Sequence, residues 1–347
     1  MQRAESSRER GVRRGLGSLR PLLNPRILIP LVVALGLLAY VSYVASARQS
    51  GAQLWAIVQN TWALILALTF PYLLCRALVW HDLLSLLCVR VSWRNLATAF
   101  AGGEMTKSLP AGIYVENLIL GRLSHLGPRW TVRSTTATTA MLGLECALAV
   151  PAILILGIPG QPWLRLTLLA VVAAWIVILI VVRLLVGEGA RRLRARPVRW
   201  LCELAESVKE FLDAGAELLT PRALLDLIPT AIYMLIYVVD LYAIARTVGV
   251  HHFSFLDATA TYSVVVLAVV LIPIPTEIGI SEFTGLGALL AYGVPHASAA
   301  IIVLSLRLLA TGATILVSGV VFVVLRRRIA QERAAARGVG EEAAPSS

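Results

Sequence analysis

The stretch Ile272-Pro-Ile-Pro-Thr-Glu-Ile-Gly-Ile-Ser-Glu282 interrupts an otherwise apolar run from Ala258 to Tyr292. Pro273 and Pro275 remove backbone donors, so residues 273–279 cannot form a regular helix. Broken backbone at membrane depth persists only where protein or a watery cavity satisfies its polar groups. The segment therefore reads as the tip of a re-entrant hairpin of two half-helices. A second interruption lies between Asn95 and Leu126, at Gly102-Gly103-Glu104 and Leu109-Pro110-Ala111-Gly112. Each flanking piece is about 15 residues, short of the roughly 20 that a crossing helix requires. It reads as a second hairpin.

The whole composition agrees with a membrane setting. Of 347 residues, 58% are hydrophobic and only 15% charged, with a mean hydropathy of +0.79. Soluble domains keep about a quarter of their residues charged, so a soluble globular enzyme is excluded. The net charge is +11, and all basic residues but Lys107 and Lys209 are arginine. In such a chain the excess reports topology, and the base–aromatic interleaving of a nucleic-acid face is absent. Cys75, Cys88, Cys146 and Cys202 are scattered with no CxxC and read as small apolar fillers, so neither a metal nor another cofactor is expected.

Seven spans are expected: Ile27–Ala47, Trp62–Trp80, Thr136–Gly157, Leu164–Val186, Leu224–Ala245, Ala258–Ile272 and Ala297–Leu325. Arg191, Arg192, Arg194, Arg196 and Arg199 follow one span and Arg326, Arg327 and Arg328 follow the last, which puts both termini in the cytoplasm. The expected organisation is a basic tail over 1–26, a membrane domain over 27–325 and a disordered tail over 326–347. Within the membrane domain, 187–223 is a cytoplasmic amphipathic segment. There Leu201, Leu204, Val208, Phe211 and Leu218 make an apolar stripe, and Glu203, Glu206, Glu210, Asp213 and Glu217 an acidic one, most simply a solvated face. On this topology the two hairpins enter from opposite sides and the halves mirror each other, as in an inverted repeat with a site where the tips meet. The tips carry Pro110, Gly112 and Glu116 against Pro275, Gly279 and Glu282.

Charges inside the bilayer are costly and mark functional candidates. Arg307 stands within the last apolar span, beyond snorkelling reach of an interface, so it requires an acidic partner. Glu277 and Glu282 are the nearest acids before it in the chain. The pair is either a structural bridge fixing the hairpin or an anion-binding arginine whose carboxylate is exchanged for substrate, a role suited to its forked guanidinium. Glu104 and Lys107 are three residues apart and can pair along a helix face. Glu145 and Asp240 each sit alone in a span, and Arg76 is read as snorkelling toward the inner surface.

The run from Ile272 to Glu282, with Ala291-Tyr-Gly-Val294 and Leu304-Ser-Leu-Arg307, resembles the membrane domain of the lysylphosphatidylglycerol synthase/flippase-like family. That pattern is Pro-x-x-Pro-Gly-Gly-x-Gly-x-x-Glu, a Gly-Val about a dozen residues on, then an Arg in the last span. Pro275, Gly279, Glu282, Gly293, Val294 and Arg307 fall on it, and the order of spans matches from about Ile27 to Leu325. Two departures stand out. Thr276-Glu277 replaces Gly-Gly, and the first hairpin has Pro110-Ala-Gly-Ile-Tyr-Val-Glu116 with no arginine directly after it, where the family runs Pro-Gly-x-x-Gly-Glu-x-x-Arg. The family's soluble aminoacyl-transferase domain has no counterpart, so lipid aminoacylation is not implied.

No phosphate loop, His-Glu-x-x-His or Gly-x-Ser-x-Gly occurs, so an enzyme is not expected. The resemblance implies an all-α polytopic flippase or scramblase of a bacterial inner membrane, moving a lipid with a polar or anionic head group. Its expected partners are membrane lipids, with no nucleic acid. The alternative is a non-transporting scaffold recruiting lipid or glycan enzymes through the amphipathic segment.

Overall fold

The computed structural model describes residues 50–107, 112–161, 199–271 and 279–342, with a few helical positions between 166 and 177. All regular structure among these residues is helical. The elements are α1 (Ser50–Leu86), α2 (Trp93–Thr106), a 3₁₀ turn (Gly112–Tyr114), α3 (Val115–Leu123), α4 (Pro128–Leu156), α5 (Arg199–Glu217), α6 (Pro221–Leu225), α7 (Leu227–Thr247), α8 (Phe255–Leu271), α9 (Ile280–Ala291), α10 (His296–Leu306), a π-helical turn (Arg307–Thr311) and α11 (Gly312–Glu342). Among the described residues, four helical stretches are long and apolar enough to cross a membrane: Trp55–Leu86, Pro128–Leu156, Pro221–Thr247 and His296–Ile329. They contain the expected spans that begin at Trp62, Leu224 and Ala297, and all but the last residue of the one that begins at Thr136. The expected spans Ile27–Ala47 and Leu164–Val186 fall outside the described residues, isolated positions of the latter excepted. The shorter apolar helices are Phe255–Leu271 and Ile280–Ala291.

The packing follows one scheme twice. α2 folds back on α3 and packs on α11, while α8 folds back on α9 and packs on α4; α1 and α7 pair with each other between them. The base of the first hairpin is closed by Asn95, whose Nδ2 donates to the Leu123 carbonyl at 3.4 Å and to Ser124 Oγ at 3.1 Å. Ser92 caps the start of α2 by accepting from the Asn95 amide. One end of α9 is tied to the far end of α4 by Tyr292 OH, which donates to the Gly157 carbonyl at 2.8 Å.

Close helix approach at the first hairpin depends on glycine. A Cβ at Gly103 would stand 2.6 Å from Glu116 Cβ, and one at Gly112 only 1.8 Å from the Thr106 carbonyl oxygen. The apolar core divides into two clusters. One is centred on Trp80, Leu83, Leu96, Leu120 and Met141, and the other on Ile65, Ile244, Leu289 and Ile301. Lipid-facing positions stay apolar, as with Phe70, Leu74, Leu316 and Val320.

Two expectations require correction. The acidic stripe of α5 is not simply a solvated face. Arg133 donates from Nη1 and Nη2 to the two Glu217 oxygens at 3.0 and 2.8 Å and from Nε to Glu210 at 2.6 Å, and Arg129 adds a bond to Glu210 at 3.1 Å. Arg133 also reaches the Leu87 carbonyl, so this clasp ties α5 to the start of α4 and the end of α1. Partial burial works to raise the Glu210 carboxyl, but the bonds from Arg133 and Arg129 outweigh it and hold the group below its usual value. The final helix runs to Glu342, so most of the tail expected to be disordered is helical.

Candidate functional site

Arg307 and Glu282 do meet. Arg307 Nε lies 3.1 Å from Glu282 Oε1, with the two side chains 19% and 1% exposed. Each is placed by a local irregularity. Arg307 opens the π-helical turn that interrupts the last apolar helix, a deviation found often at functional sites. Glu282 lies in the first turn of α9, where its Oε2 accepts from the Gly279 amide at 2.6 Å and from Ser281 Oγ at 2.9 Å. Gly279 holds φ at +87°, a conformation that glycine adopts without strain, and so turns the chain into the helix. The Glu282 carboxylate thus rests on a helix N-terminus with a guanidinium beside it, the surroundings that suit an anion.

This pair opens onto a cavity of about 120 Å³ whose polar lining includes Arg76, Lys107, Glu145, Ser281, Glu282 and Arg307. At roughly 10–15 Å³ per water, the space holds several waters or one compact polar group. Its remaining walls come largely from Tyr237, Tyr262 and aliphatic side chains of α7, α8, α9 and α10.

Across the cavity stands a group that the sequence reading passed over. Arg76 is 2% exposed and does not snorkel. Its Nε lies 3.1 Å from Glu104 and its Nη1 donates to Glu145 at 3.0 Å. Tyr233 OH donates to the same Glu145 oxygen at 2.8 Å, and the guanidinium sits over the rings of Tyr72 and Tyr233 at 5.7 and 5.3 Å. The expected Glu104–Lys107 pair along one helix is therefore replaced by a Glu104–Arg76 pair between helices. Lys107 instead extends its Nζ to Tyr72 OH at 3.5 Å. Glu145, expected alone, is a shared acceptor, and Asp240 is buried in α7, its Oδ1 without a hydrogen-bond partner among the described residues. The missed signals were two i, i+4 pairs, Tyr72 with Arg76 and Tyr233 with Tyr237, which put aromatic and charged groups on matching faces.

Glu116 is buried but lies apart from the cavity lining, hydrogen-bonded to Thr138 Oγ1 at 2.7 Å. Arg122 is exposed at the end of α3. Gly112 begins the 3₁₀ turn. Pro110, Pro275 and Glu277 lie outside the described residues.

Apolar spans surrounding a buried, charge-lined cavity define a multi-pass helical membrane protein with an ionisable interior. The chain belongs to the family described as the lysylphosphatidylglycerol synthase TM region, whose pattern matches residues 27–319. Neither a curated protein nor a solved structure matches it.

Proposed function

We propose that this protein is a lipid flippase or scramblase of a bacterial inner membrane. It passes a polar or anionic head group through the Arg307–Glu282 cavity while the acyl or polyprenyl tails stay in the bilayer. The observation that carries this reading is the setting of Glu282, a carboxylate held by a helix N-terminus and an arginine at the edge of a cavity that also receives Lys107. A phosphate or carboxylate on a lipid can take the place of the Glu282 side chain on Arg307, and Arg suits that exchange because its fork accepts two oxygens at once. The protein's role is binding and passage rather than bond making, so no catalytic residue is assigned.

Two features support passage. α2, at about 21 Å, and α9, at about 18 Å, are short of the roughly 30 Å hydrocarbon core, as half-helices of re-entrant hairpins are. The twice-repeated packing scheme suits an inverted repeat whose halves rock about a shared midplane site. The basic clusters of the sequence put both termini in the cytoplasm on this reading. The scaffold alternative draws less support, because two acids of the α5 stripe are already engaged by Arg129 and Arg133.

The test is translocation in liposomes containing the purified protein, using a panel of head-group-labelled lipids and an impermeant quencher. Faster loss of protected fluorescence is expected for one head-group class, and Glu282→Gln, checked for monodispersity in detergent, is expected to remove it. No acceleration with any lipid, native extract included, would contradict transport.

A further inference from the structure

Thr131, Thr135, Thr136 and Thr139 on α4 all return their hydroxyls to the carbonyl four residues back on the same helix. Ser134 and Thr138, one turn apart on the same helix, do not. Their hydroxyls cross to α3, where Thr138 Oγ1 lies 2.7 Å from Glu116 Oε1 and 3.3 Å from Asn117 Oδ1, and Ser134 Oγ bonds the same Asn117 oxygen. Asn117 Nδ2 donates to Thr138 Oγ1 at 3.1 Å. Four side-chain oxygens from two helices thus converge, and all four residues are at most 3% exposed. The neighbouring α2 closes the site at Gly103, where an added Cβ would stand 2.8 Å from Glu116 Oε2.

A carboxylate buried this deeply either takes up a proton or holds a compensating cation. Arg76 serves Glu104 and Glu145, and Arg307 serves Glu282. Among the described residues no cationic side chain is in ion-pair contact with Glu116, whose direct hydrogen bond comes from a neutral hydroxyl. Carboxylate, amide carbonyl and hydroxyl oxygens are the ligands that hard cations prefer. A single acid supplies one negative charge, which balances a monovalent ion and leaves a divalent one undercompensated. These oxygens hydrogen-bond one another and must part to admit an ion, which favours a small ion over a large one.

We propose that Glu116, Asn117, Ser134 and Thr138 form a binding site for one small alkali cation, of which sodium is the representative. The site is separate from the Arg307–Glu282 cavity and does not depend on the lipid-transport reading. It would bind through the Glu116 carboxylate, the Asn117 carbonyl and the lone pairs of the two hydroxyls, whose hydrogens turn outward when the ion enters.

The experiment is equilibrium binding of radioactive sodium to the purified full-length protein in detergent, at fixed pH and with potassium as the balancing salt. Saturable binding of one ion per chain is expected. Thr138→Val, which keeps the charge and the shape, is expected to weaken it by about tenfold or more, the scale on which metal sites respond to loss of a supporting group. Glu116→Gln is expected to abolish it, and Thr135→Val to leave it unchanged. Absence of saturable sodium binding by the monodisperse wild-type protein would overturn the proposal. So would binding that survives Thr138→Val and Glu116→Gln together, or a protein that responds at this site to acidification alone and is indifferent to sodium. Because no lipid is moved in this measurement, its failure is distinct from failure of the transport reading.

Discussion

The two hairpins are built alike and filled differently. Each pairs a short helix with a second one that carries a buried glutamate in its first turn, Glu116 on α3 and Glu282 on α9. Glu282 meets a guanidinium, a helix-terminal amide and a cavity, whereas Glu116 accepts from the Thr138 hydroxyl of α4, which also bonds Asn117, with Gly103 pressed against it. The same residue type thus pairs with an arginine in one half and lies among neutral oxygens in the other. Where arginine is present, the glutamate has a counter-charge within 3.1 Å. Where it is absent, the glutamate has a neutral hydroxyl as its direct partner among the described residues.

The largest effect is expected at the point where the halves join. Arg76→Leu strands Glu104 and Glu145 without a cation, and breaking a buried charge network of this kind costs about 3–5 kcal/mol. Thermal unfolding in detergent should show it, and a loss of under about 1 kcal/mol would mean the two acids do not rest on Arg76.

Next comes the clasp on α5, which neither hairpin shares. Arg133→Ala removes bonds to two carboxylates and should weaken α5 docking by about 1.5–3 kcal/mol, the scale of hydrogen bonds to charged groups. Glu210 has a folded value below its ordinary 4.5, so its contribution is complete above that value and is lost as pH falls through the folded one. Limited proteolysis near α5 should therefore increase as pH falls below about 4.5 in the wild type. In Arg133→Ala the cleavage should be high already at neutral pH, with that acid step reduced. A clasp indifferent to acid would show that Glu210 does not hold the helix.

A smaller contrast sharpens the difference in packing between the hairpins. Gly103→Ala drives a methyl against the Glu116 side chain and should destabilise by about 1–3 kcal/mol. At Gly285 in the second hairpin the nearest atom to an added Cβ is Val303 Cγ2 at 3.3 Å, so Gly285→Ala should cost under about 1 kcal/mol by the same measurement. Equal effects would remove the distinction. Smallest of all, Thr135→Val should change stability by less than about 0.5 kcal/mol, because its hydroxyl is bonded within its own helix.

Much of the second half was legible in the sequence. Arg307 stands so far into an apolar span that it had to find an acid, and Glu282 was the nearest one before it in the chain. The partner choice at Arg76 was hidden by a boundary. Ending the span at Trp80 puts Arg76 one turn from the interface, but α1 continues to Leu86, which places the guanidinium well inside the protein. Glu104 and Lys107 satisfied a local spacing rule, yet Lys107 forms the C-cap of α2 and extends to Tyr72, leaving Glu104 to a partner 28 positions earlier in the chain. The oxygens around Glu116 were hidden for a similar reason. Ser134 lies before Thr136, where the apolar span was read to begin, and hydroxyls carry no charge to announce a partner. The π-helical turn at Arg307 has no proline or glycine within it and could not be read from residue type.

The most direct measurement compares two arginines that differ only in where they stand. Reconstituted Arg307→Ala and Arg133→Ala should be assayed beside the wild type for the initial rate of head-group translocation, with equal protein incorporated into each liposome preparation. Arg307→Ala is expected to fall to the protein-free rate, while Arg133→Ala, whose guanidinium grips α5 and the end of α1, keeps most of the wild-type rate at neutral pH. An Arg307→Ala protein that is folded and transports as fast as the wild type would contradict passage through the Arg307–Glu282 cavity.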